Sequence, residues 1–268
     1  MANTVIQVND LTKIFETKKE KVTALQDVNL TIKNREFVVL VGASGCGKTT
    51  LINTIAGFEK PTSGEVLLHG EPVTGIDPRC GMVFQQYALF DWKTVINNVD
   101  FGLKMKGMKL KERRELAQQY IDMVGLQGFE NAYPSQLSGG MKQRVSLART
   151  LANNPEIMLL DEPFAALDAM TRQVLQEELI RIYRESQKTI LFITHSIDEA
   201  LLLSTRVSVM TSRPGKIKQF LENDLPWPRD ADVQLHPRYQ ELKSEVWSTV
   251  QEEVMKTAGL LSDDKDKC

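Results

Sequence analysis

The spacing of apolar positions in the first part of the chain is typical of β-strands followed by a helix. Apolar and polar residues alternate at 28–32, which predicts a strand with one buried face, and residues 5–8 predict another. The segment 37–41 is apolar throughout and rich in β-branched residues, which predicts a strand buried on both faces. Glycines follow at once, and 48–56 then has helical spacing. The resulting order is strand, glycine loop, helix.

Strand-like and helix-like segments alternate along the rest of the chain. Charged and apolar residues recur at helical spacing from about 95 to 152, which predicts a helical insertion. Helical segments at 171–186 and 197–203 separate the later strands. Because strands joined by helical crossovers run parallel, this alternation favours an α/β fold with a mostly parallel sheet. The short apolar runs that predict strands lie at 64–70, 81–85, 157–160, 189–194 and 207–210.

These changes of pattern divide the chain into four parts. Residues 1–92 and 155–225 are expected to form two parts of one core, with 93–154 as a helical insertion between them. Residues 226–268 form a C-terminal extension whose last polar stretch, 262–267, is expected to fray. We expect the extension to contain a helix that braces the core or a second protomer. Its predicted apolar stripe is Tyr239, Leu242, Val246, Val250 and Val254.

Composition and net charge limit the classes of protein to which the chain can belong. With 268 residues, 42% of them hydrophobic, the chain can bury a sizeable core, and its net charge of -2 gives no indication of a nucleic-acid partner. No apolar run reaches the roughly 18–20 residues that span a bilayer, and the first ten residues do not resemble a secretory signal. Three cysteines, Cys46, Cys80 and Cys268, form no disulfide framework and suit a reducing cytosol.

A phosphate-binding pattern lies between the doubly buried strand and the helix. Gly42–Thr49 fits G-x-x-x-x-G-K-[ST], in which backbone N–H groups and a helix N-terminus surround nucleotide phosphates. Lys48 would reach the β- and γ-phosphates, and the Thr49 hydroxyl would bind Mg²⁺. A fortuitous glycine-rich turn is the alternative, which the flanking strand and helix disfavour. Cys46 is more simply a small residue at a variable position than a redox-sensitive thiol.

Two further segments carry candidate chemistry. Asp161 and Glu162 end a predicted buried strand, where one carboxylate can order the Mg²⁺ shell and the next can polarise an attacking water. Alone, such a pair is often a strand end that meets solvent. Ser138 precedes a helical stripe and is followed by Gly139 and Gly140, so this helix N-terminus could read a γ-phosphate of its own or another chain. A plain helix cap is the alternative there.

Together and in this order, the motifs resemble those of the ATP-binding subunits of ABC transporters, over nearly the whole chain. The resemblance implies a P-loop NTPase (RecA-like) fold: a mostly parallel sheet with an antiparallel β part and a helical insertion subdomain. It identifies Gly42–Thr49 as the Walker A loop and 157–161 as Walker B. The segment 137–141 is similar to the family signature, and 165–168 to the D-loop.

The resemblance also implies roles for individual residues. Glu162, His195, Gln85 and Lys48 would be the catalytic residues, with His195 sensing the γ-phosphate. Taken without the family, His195 and Phe15 would more simply be structural. Mg²⁺ ligands would be Thr49, Gln85 and Asp161. The residues implied to contact ATP are Phe15 (stacked on adenine), Gly42, Ser44, Gly45, Cys46, Gly47, Lys48, Thr49, Thr50, Gln85, Ser138, Gly139, Gly140, Asp161 and Asp168.

The partners follow from the same resemblance. Two ATPase subunits, identical or a related pair, would close around two ATP molecules, with Ser138 and Gly140 acting on the partner's nucleotide. Permease subunits would hold the protein on the cytoplasmic face of the cell membrane, and an extracytoplasmic solute-binding protein would act indirectly. We expect the permease to contact 87–92, although Phe90 and Trp92 could instead pack under the helical insertion.

Weaker similarities indicate the type of ABC protein. The segments 164–172, 209–217 and 225–229 resemble the nitrate/sulfonate/taurine-type importers, which favours a small oxoanion as solute. The second interpretation is a soluble ABC ATPase in translation, DNA repair or chromosome maintenance, and the third is a stand-alone exporter. A single cassette with a compact insertion disfavours the second interpretation. The absence of fused membrane helices in this sequence disfavours the third.

Overall fold

The computed structural model describes residues 4–16, 20–186, 188–227, 229 and 231–257. The predicted fraying at 262–267 lies outside these residues. The strands are β1 Thr4–Glu16, β2 Lys21–Lys33, β3 Phe37–Gly42, β4 Ser63–Leu68, β5 Glu71–Pro72, β6 Cys80–Val83, β7 Ile157–Asp161, β8 Thr189–Thr194, β9 Arg206–Met210 and β10 Ile217–Glu222. The helices are α1 Lys48–Ile55, α2 Val95–Val99, α3 Phe101–Met105, α4 Leu110–Met123, α5 Gly139–Ala152, α6 Ala169–Ser186, α7 Ile197–Leu203 and α8 Pro237–Thr257, with 3-10 helices at Pro134–Gln136 and Ala231–Leu235.

The chain folds into two compact units. The first consists of Met1–Asp77 and Gln187–Cys268, and the second of Pro78–Ser186. The four-part division expected from the sequence, with boundaries after 92, 154 and 225, stays a prediction. In the part of the chain that the structure describes, no helix combines the length and apolar composition needed to cross a membrane.

The first unit contains an antiparallel sheet and a group of mostly parallel strands. The antiparallel sheet has the order β2-β1-β4-β5, and in β2 the predicted alternation is confirmed because Val28, Leu30 and Ile32 are buried. The other strands follow the order β10-β9-β3-β8, with β3 parallel to both of its neighbours and β10 antiparallel to β9. Every residue of β3 and β8 is buried, as expected of strands covered on both faces. Helices α1 and α7 pack against β3 and β8.

The second unit contains the predicted helical insertion. Helices α2, α3, α4 and α5 pack against one another, and α5 also packs on β6. Strands β6 and β7 pair in parallel, with Val83 opposite Leu160. All five residues of β7 are buried, including its last residue, Asp161.

The C-terminal helix differs from its prediction in one important respect. The inner face of α8 begins as expected with Tyr239, Leu242 and Val246, all at most 1% exposed. It then continues through a polar position, Thr249, and ends at Glu253, which is 4% exposed. Val250 is half-buried, and Val254 is 47% exposed. The predicted stripe therefore leaves the inner face at Val254, because Glu253, which bonds to the half-buried Ser212 and Lys218, takes the inner position beside it.

Candidate functional site

The phosphate loop turns sharply from β3 into α1. Gly47, at the N-cap of α1, has φ 104°, and Gly45 has φ 73°, so both adopt left-handed backbone that favours glycine. Lys48 is only 6% exposed. Its Nζ donates to the carbonyl oxygens of Gly42 (2.8 Å) and Ala43 (2.9 Å). The loop therefore holds the ammonium group against its own backbone, at the start of a helix whose first N–H groups favour anions.

The loop also packs closely on neighbouring backbone. A Cβ atom on Gly47 would lie 2.8 Å from Ala24 O in β2, a distance that real Cβ atoms do not adopt. A Cβ atom on Gly42 would lie 3.0 Å from Met210 O at the end of β9. Both glycines are needed for this close approach, and Gly47 is needed for its left-handed backbone as well.

Residues of the loop divide between exposed and buried positions. Ser44, Gly45 and Thr49 are exposed, and Thr50 is half-buried. Cys46 is 1% exposed, and burial raises the pKa of its thiol although Lys48 opposes this effect. A neutral, buried thiol is a poor nucleophile, which disfavours a redox role.

Two further predicted residues of the first unit are exposed. The Phe15 ring, at the end of β1, is 37% exposed, and the Lys13 ammonium lies 4.9 Å from its centroid. Lys13 also pairs with Glu59 at 2.8 Å, so the cation is fixed beside the ring. The sequence analysis missed Lys13, although its position two residues before Phe15 on a strand places both on one side. His195, the other predicted residue, is exposed between β8 and α7.

The turn that presents His195 is held by its neighbours. The Thr194 hydroxyl donates to Glu199 Oε2 at 2.5 Å and accepts from the Ser196 N–H at 3.0 Å. Ser196 caps α7, since its Oγ accepts from the Glu199 N–H at 3.3 Å. Serine here performs the capping that an aspartate would also provide.

The acidic candidates belong to the second unit. Asp161 is 2% exposed, and the half-buried Glu162 has φ 47°, a conformation that is strained for a non-glycine residue. Asp168 is exposed and accepts from the Thr171 N–H at 3.0 Å, which holds the pKa of this carboxyl below its usual value. Gln85 is exposed after β6.

The signature segment forms the N-terminus of α5. Ser138 is exposed and caps the helix, with its Oγ accepting from the Met141 N–H at 3.3 Å. A Cβ atom on Gly139 would lie 2.8 Å from the Tyr87 hydroxyl oxygen, and one on Gly140 would lie 3.1 Å from Ala166 O. The glycines thus allow the helix end to contact residue 87 and the D-loop.

Residues 87–94 are fixed by two side chains that the sequence analysis did not identify. Arg149, in α5, donates to Ala88 O at 2.7 Å and to Tyr87 O at 3.4 Å, and burial lowers its pKa. The buried Asn98 accepts from the Phe90 N–H at 2.9 Å. Its amide group donates to the carbonyls of Phe90, Lys93 and Thr94. An arginine on the buried side of a helix and a buried asparagine are the signals that could have found them.

Phe90 and Trp92 have different environments. The Phe90 ring is half-buried, with its centroid 4.6 Å from that of Phe101 in α3. The Trp92 ring contacts Phe90 at 5.6 Å but is 73% exposed. Phe90 therefore packs within its unit, whereas Trp92 lies on the surface.

Comparisons with known proteins identify the family. The family model described as "ABC transporter" matches residues 25–165, which is just over half of the chain. The chain is 50% identical to the nitrate import ATP-binding protein NrtD of Synechocystis sp., over 82% of this chain and 83% of that protein. It is 47% identical to the taurine import ATP-binding protein TauB of Pelagibacter ubique, over 92% of this chain and 96% of that protein.

A solved structure has the same fold. The dimeric post-hydrolysis state of the ATP-binding cassette MJ0796, bound to ADP and Pi, aligns with a TM-score of 0.76 at 36% identity. The alignment covers 81% of this chain and 98% of that one. The predicted P-loop NTPase fold is thereby confirmed. The chain belongs to the ABC transporter family, as an ATP-binding subunit that hydrolyses ATP.

Proposed function

We propose that this chain powers the import of a small oxoanion through separate membrane subunits. The observation that carries the proposal is the similarity to nitrate and taurine import proteins over 82% and 92% of the chain. Nitrate is an oxoanion, and taurine carries a sulfonate group, so the two solutes share this chemistry. Permease subunits would hold the protein on the cytoplasmic face of the membrane. The same similarity favours import over a soluble role in translation, DNA repair or chromosome maintenance.

ATP binding is proposed for the phosphate loop. Lys48 would contact the β- and γ-phosphates, while Gly42, Ser44, Gly45, Cys46, Gly47, Thr49 and Thr50 would surround them. The exposed Phe15 ring has area available for stacking on adenine, a contact that contributes about 1–3 kcal/mol. Lys13 beside the ring adds positive charge on the same side of the strand.

Side-chain oxygen atoms would bind Mg²⁺ and activate the attacking water. Thr49, Gln85 and Asp161 offer hydroxyl, amide and carboxylate oxygens, the ligand types that fit Mg²⁺. The ion would neutralise charge on the β- and γ-phosphates. Glu162, which directly follows Asp161 at the end of β7, would accept a proton from the attacking water. His195 would contact the γ-phosphate.

A second ATPase subunit would complete each site. We propose that the exposed Ser138 and the half-buried Gly140 act on the partner's nucleotide. Gly139 and Asp168, both exposed, would also contact nucleotide. The dimeric state of the similar cassette supports this arrangement. Loss of the γ-phosphate would remove contacts between the two protomers. ATP and ADP would therefore favour different arrangements of the dimer.

The proposed permease contact is the surface of residues 87–92. Arg149 and Asn98 hold the backbone of this surface, and Trp92 projects from it. A pre-ordered segment with an exposed aromatic side chain is suited to binding a short helix from a partner. Co-purification with a multi-span membrane protein, lost on Trp92→Ala, tests this part of the proposal, whereas isolation with ribosomes or DNA would contradict it.

A single substitution tests the ATP site. Lys48→Ala should raise the Kd for ATP at least about tenfold, because a charge-assisted contact with phosphate is lost. The control is Lys104→Ala, which removes an exposed lysine of α3 and should leave the Kd unchanged. Titration calorimetry with ATP measures both, and an unchanged Kd for Lys48→Ala would place the nucleotide elsewhere.

A further inference from the structure

The segment 211–216, between β9 and β10, lies directly against the phosphate loop, and we call it the brace loop. Arg213 Nε donates to Gly45 O at 3.3 Å. A Cβ atom on Gly45 would lie 3.0 Å from Arg213 Nη2, and one on Gly215 would lie 2.2 Å from Cys46 O. Two residues of the brace loop therefore contact two successive residues of the phosphate loop.

The brace loop is internally ordered and attached to β2. The Thr211 hydroxyl donates to Pro214 O and accepts from the Lys216 N–H, each at 2.9 Å. The Gly215 N–H donates to Ala24 O at 3.0 Å. These bonds restrain the backbone on either side of Arg213.

Glu253 of α8 holds the opposite side of the brace loop. Its Oε2 accepts from the Ser212 N–H at 3.0 Å, and its backbone carbonyl accepts from Ser212 Oγ at 2.9 Å. Its Oε1 accepts from Lys218 Nζ at 2.6 Å. A carboxylate that is 4% exposed and bonded through both oxygens fixes its partners more firmly than a surface ion pair does.

We propose that Arg213 and Glu253 are positioning residues for ATP binding, and that α8 sets the affinity of the phosphate loop through the brace loop. The proposal rests on the proposed ATP site. Arg213 restrains the carbonyl of Gly45 and thereby the N–H groups on either side of it. A loop that is already ordered loses less conformational entropy when it binds phosphates, and its affinity is higher for that reason.

The same helix also contacts α7, the helix that follows His195. Asp198 of α7 accepts from the Tyr239 hydroxyl at 2.6 Å and pairs with Lys243 Nζ at 2.6 Å, both from α8. One helix therefore holds the brace loop and α7. Shortening α8 before Glu253 would release the brace loop and leave the contacts with Asp198 in place.

The first test is Arg213→Ala, with Arg238→Ala as the matched control. Arg213 is exposed, so its loss should leave the melting temperature unchanged while the Kd for a fluorescent ATP analogue rises about fivefold. Arg238→Ala removes the same charge from a half-buried arginine of α8 that lies away from the loop, and it should leave the Kd unchanged. The ratio of mutant to wild-type Kd should be the same at 50 and 500 mM NaCl, because a restraint on the loop is not screened as a long-range charge is. An unchanged Kd, or a ratio that falls to one at high salt, would overturn the proposal.

The second test is a double-mutant cycle with Glu253→Gln. Glutamine keeps the shape, but its amide nitrogen cannot accept a hydrogen bond from Ser212 or Lys218. We expect a roughly threefold weaker Kd in the wild-type background and no further weakening in Arg213→Ala, because both act through one loop. Additive effects would refute transmission through the brace loop, and Arg213→Ala decides alone if Glu253→Gln does not fold. If Lys48→Ala abolishes ATP binding but Arg213→Ala does not weaken it, the proposed ATP site is supported and only the role of the brace loop is refuted.

Discussion

The phosphate loop and the signature segment are both glycine-containing helix N-termini, but they are built in opposite ways. Lys48 at the start of α1 is buried, and the loop before it packs on β2, β9 and the brace loop. Ser138 at the start of α5 is exposed, with a single cap bond to Met141. The first end is held in shape by contacts within its own unit, which suits the phosphate binding proposed for it. The second is presented on a surface, which suits a ligand brought by another protomer.

From this difference we expect that ATP binding and ATP hydrolysis can be disrupted by separate substitutions. Substitutions in the phosphate loop should weaken ATP binding even in a single protomer. Substitutions in the signature segment should leave that binding intact and stop hydrolysis, because the segment is proposed to act on the partner's nucleotide. Two predictions test this separation, and a third tests how residues 87–94 are held in place; they follow in order of decreasing effect.

Glu162→Gln should have the largest effect on turnover. Removing a general base slows a reaction by about 10²–10⁴-fold, whereas the phosphate loop and its ATP affinity should be unchanged. The variant should therefore accumulate as an ATP-bound dimer. Phosphate release and size-exclusion chromatography with ATP measure the two effects. Rapid hydrolysis by this variant would remove Glu162 from the catalytic role.

Ser138→Arg should block turnover by about a hundredfold, because the arginine would occupy the space proposed for the partner's γ-phosphate. The Kd of the variant's own phosphate loop should stay within about twofold of wild type. Ser138→Ala is the control: it loses the cap, which costs about 1 kcal/mol of stability, but adds no bulk. A large loss of ATP affinity in Ser138→Arg would contradict the separation of binding from turnover.

Arg149→Met should reduce stability more than it changes ATP binding. The carbonyls of Ala88 and Tyr87 would lose a charged donor, which costs about 1.5–3 kcal/mol. Arg181→Met, which breaks only exposed ion pairs of α6, should cost well under 1 kcal/mol. Urea unfolding measures both variants, and equal costs would show that Arg149 does not hold residues 87–94.

Much of the fold was predictable from the sequence because its signals are local. The strand β3 is apolar throughout and is followed by the phosphate loop, and the structure buries all six of its residues. Strand β10 was not predicted, because apolar and polar residues do not alternate regularly in Ile217–Glu222. The inner face of α8 was predicted as far as Val246. Beyond it, long-range partners decide the burial: Glu253 is buried because Ser212 and Lys218 bond to it.

For the candidate site, too, the sequence predicts local motifs but not long-range contacts. Motifs of fixed spacing, such as Gly42–Thr49, are visible in the sequence, so the residues with proposed chemical roles were all named from it. The residues that hold these motifs in place have no fixed spacing from them. Arg213 lies 168 positions from Gly45, and Arg149 lies 61 from Ala88, so only the folded chain brings each pair together.

The central claim is that each ATP is cleaved between the phosphate loop of one protomer and the signature segment of its partner. Mixing Glu162→Gln with Ser138→Arg tests it directly, because a mixed dimer regains one site with Glu162 from one subunit and Ser138 from the other. The account predicts that ATP hydrolysis, nearly absent from each variant alone, rises as increasing Glu162→Gln protein is added to a fixed amount of Ser138→Arg. If both motifs serve the nucleotide of their own chain, every site in the mixture carries a defect. Hydrolysis that stays at the level of the separate variants, although mixed dimers form, would contradict the account.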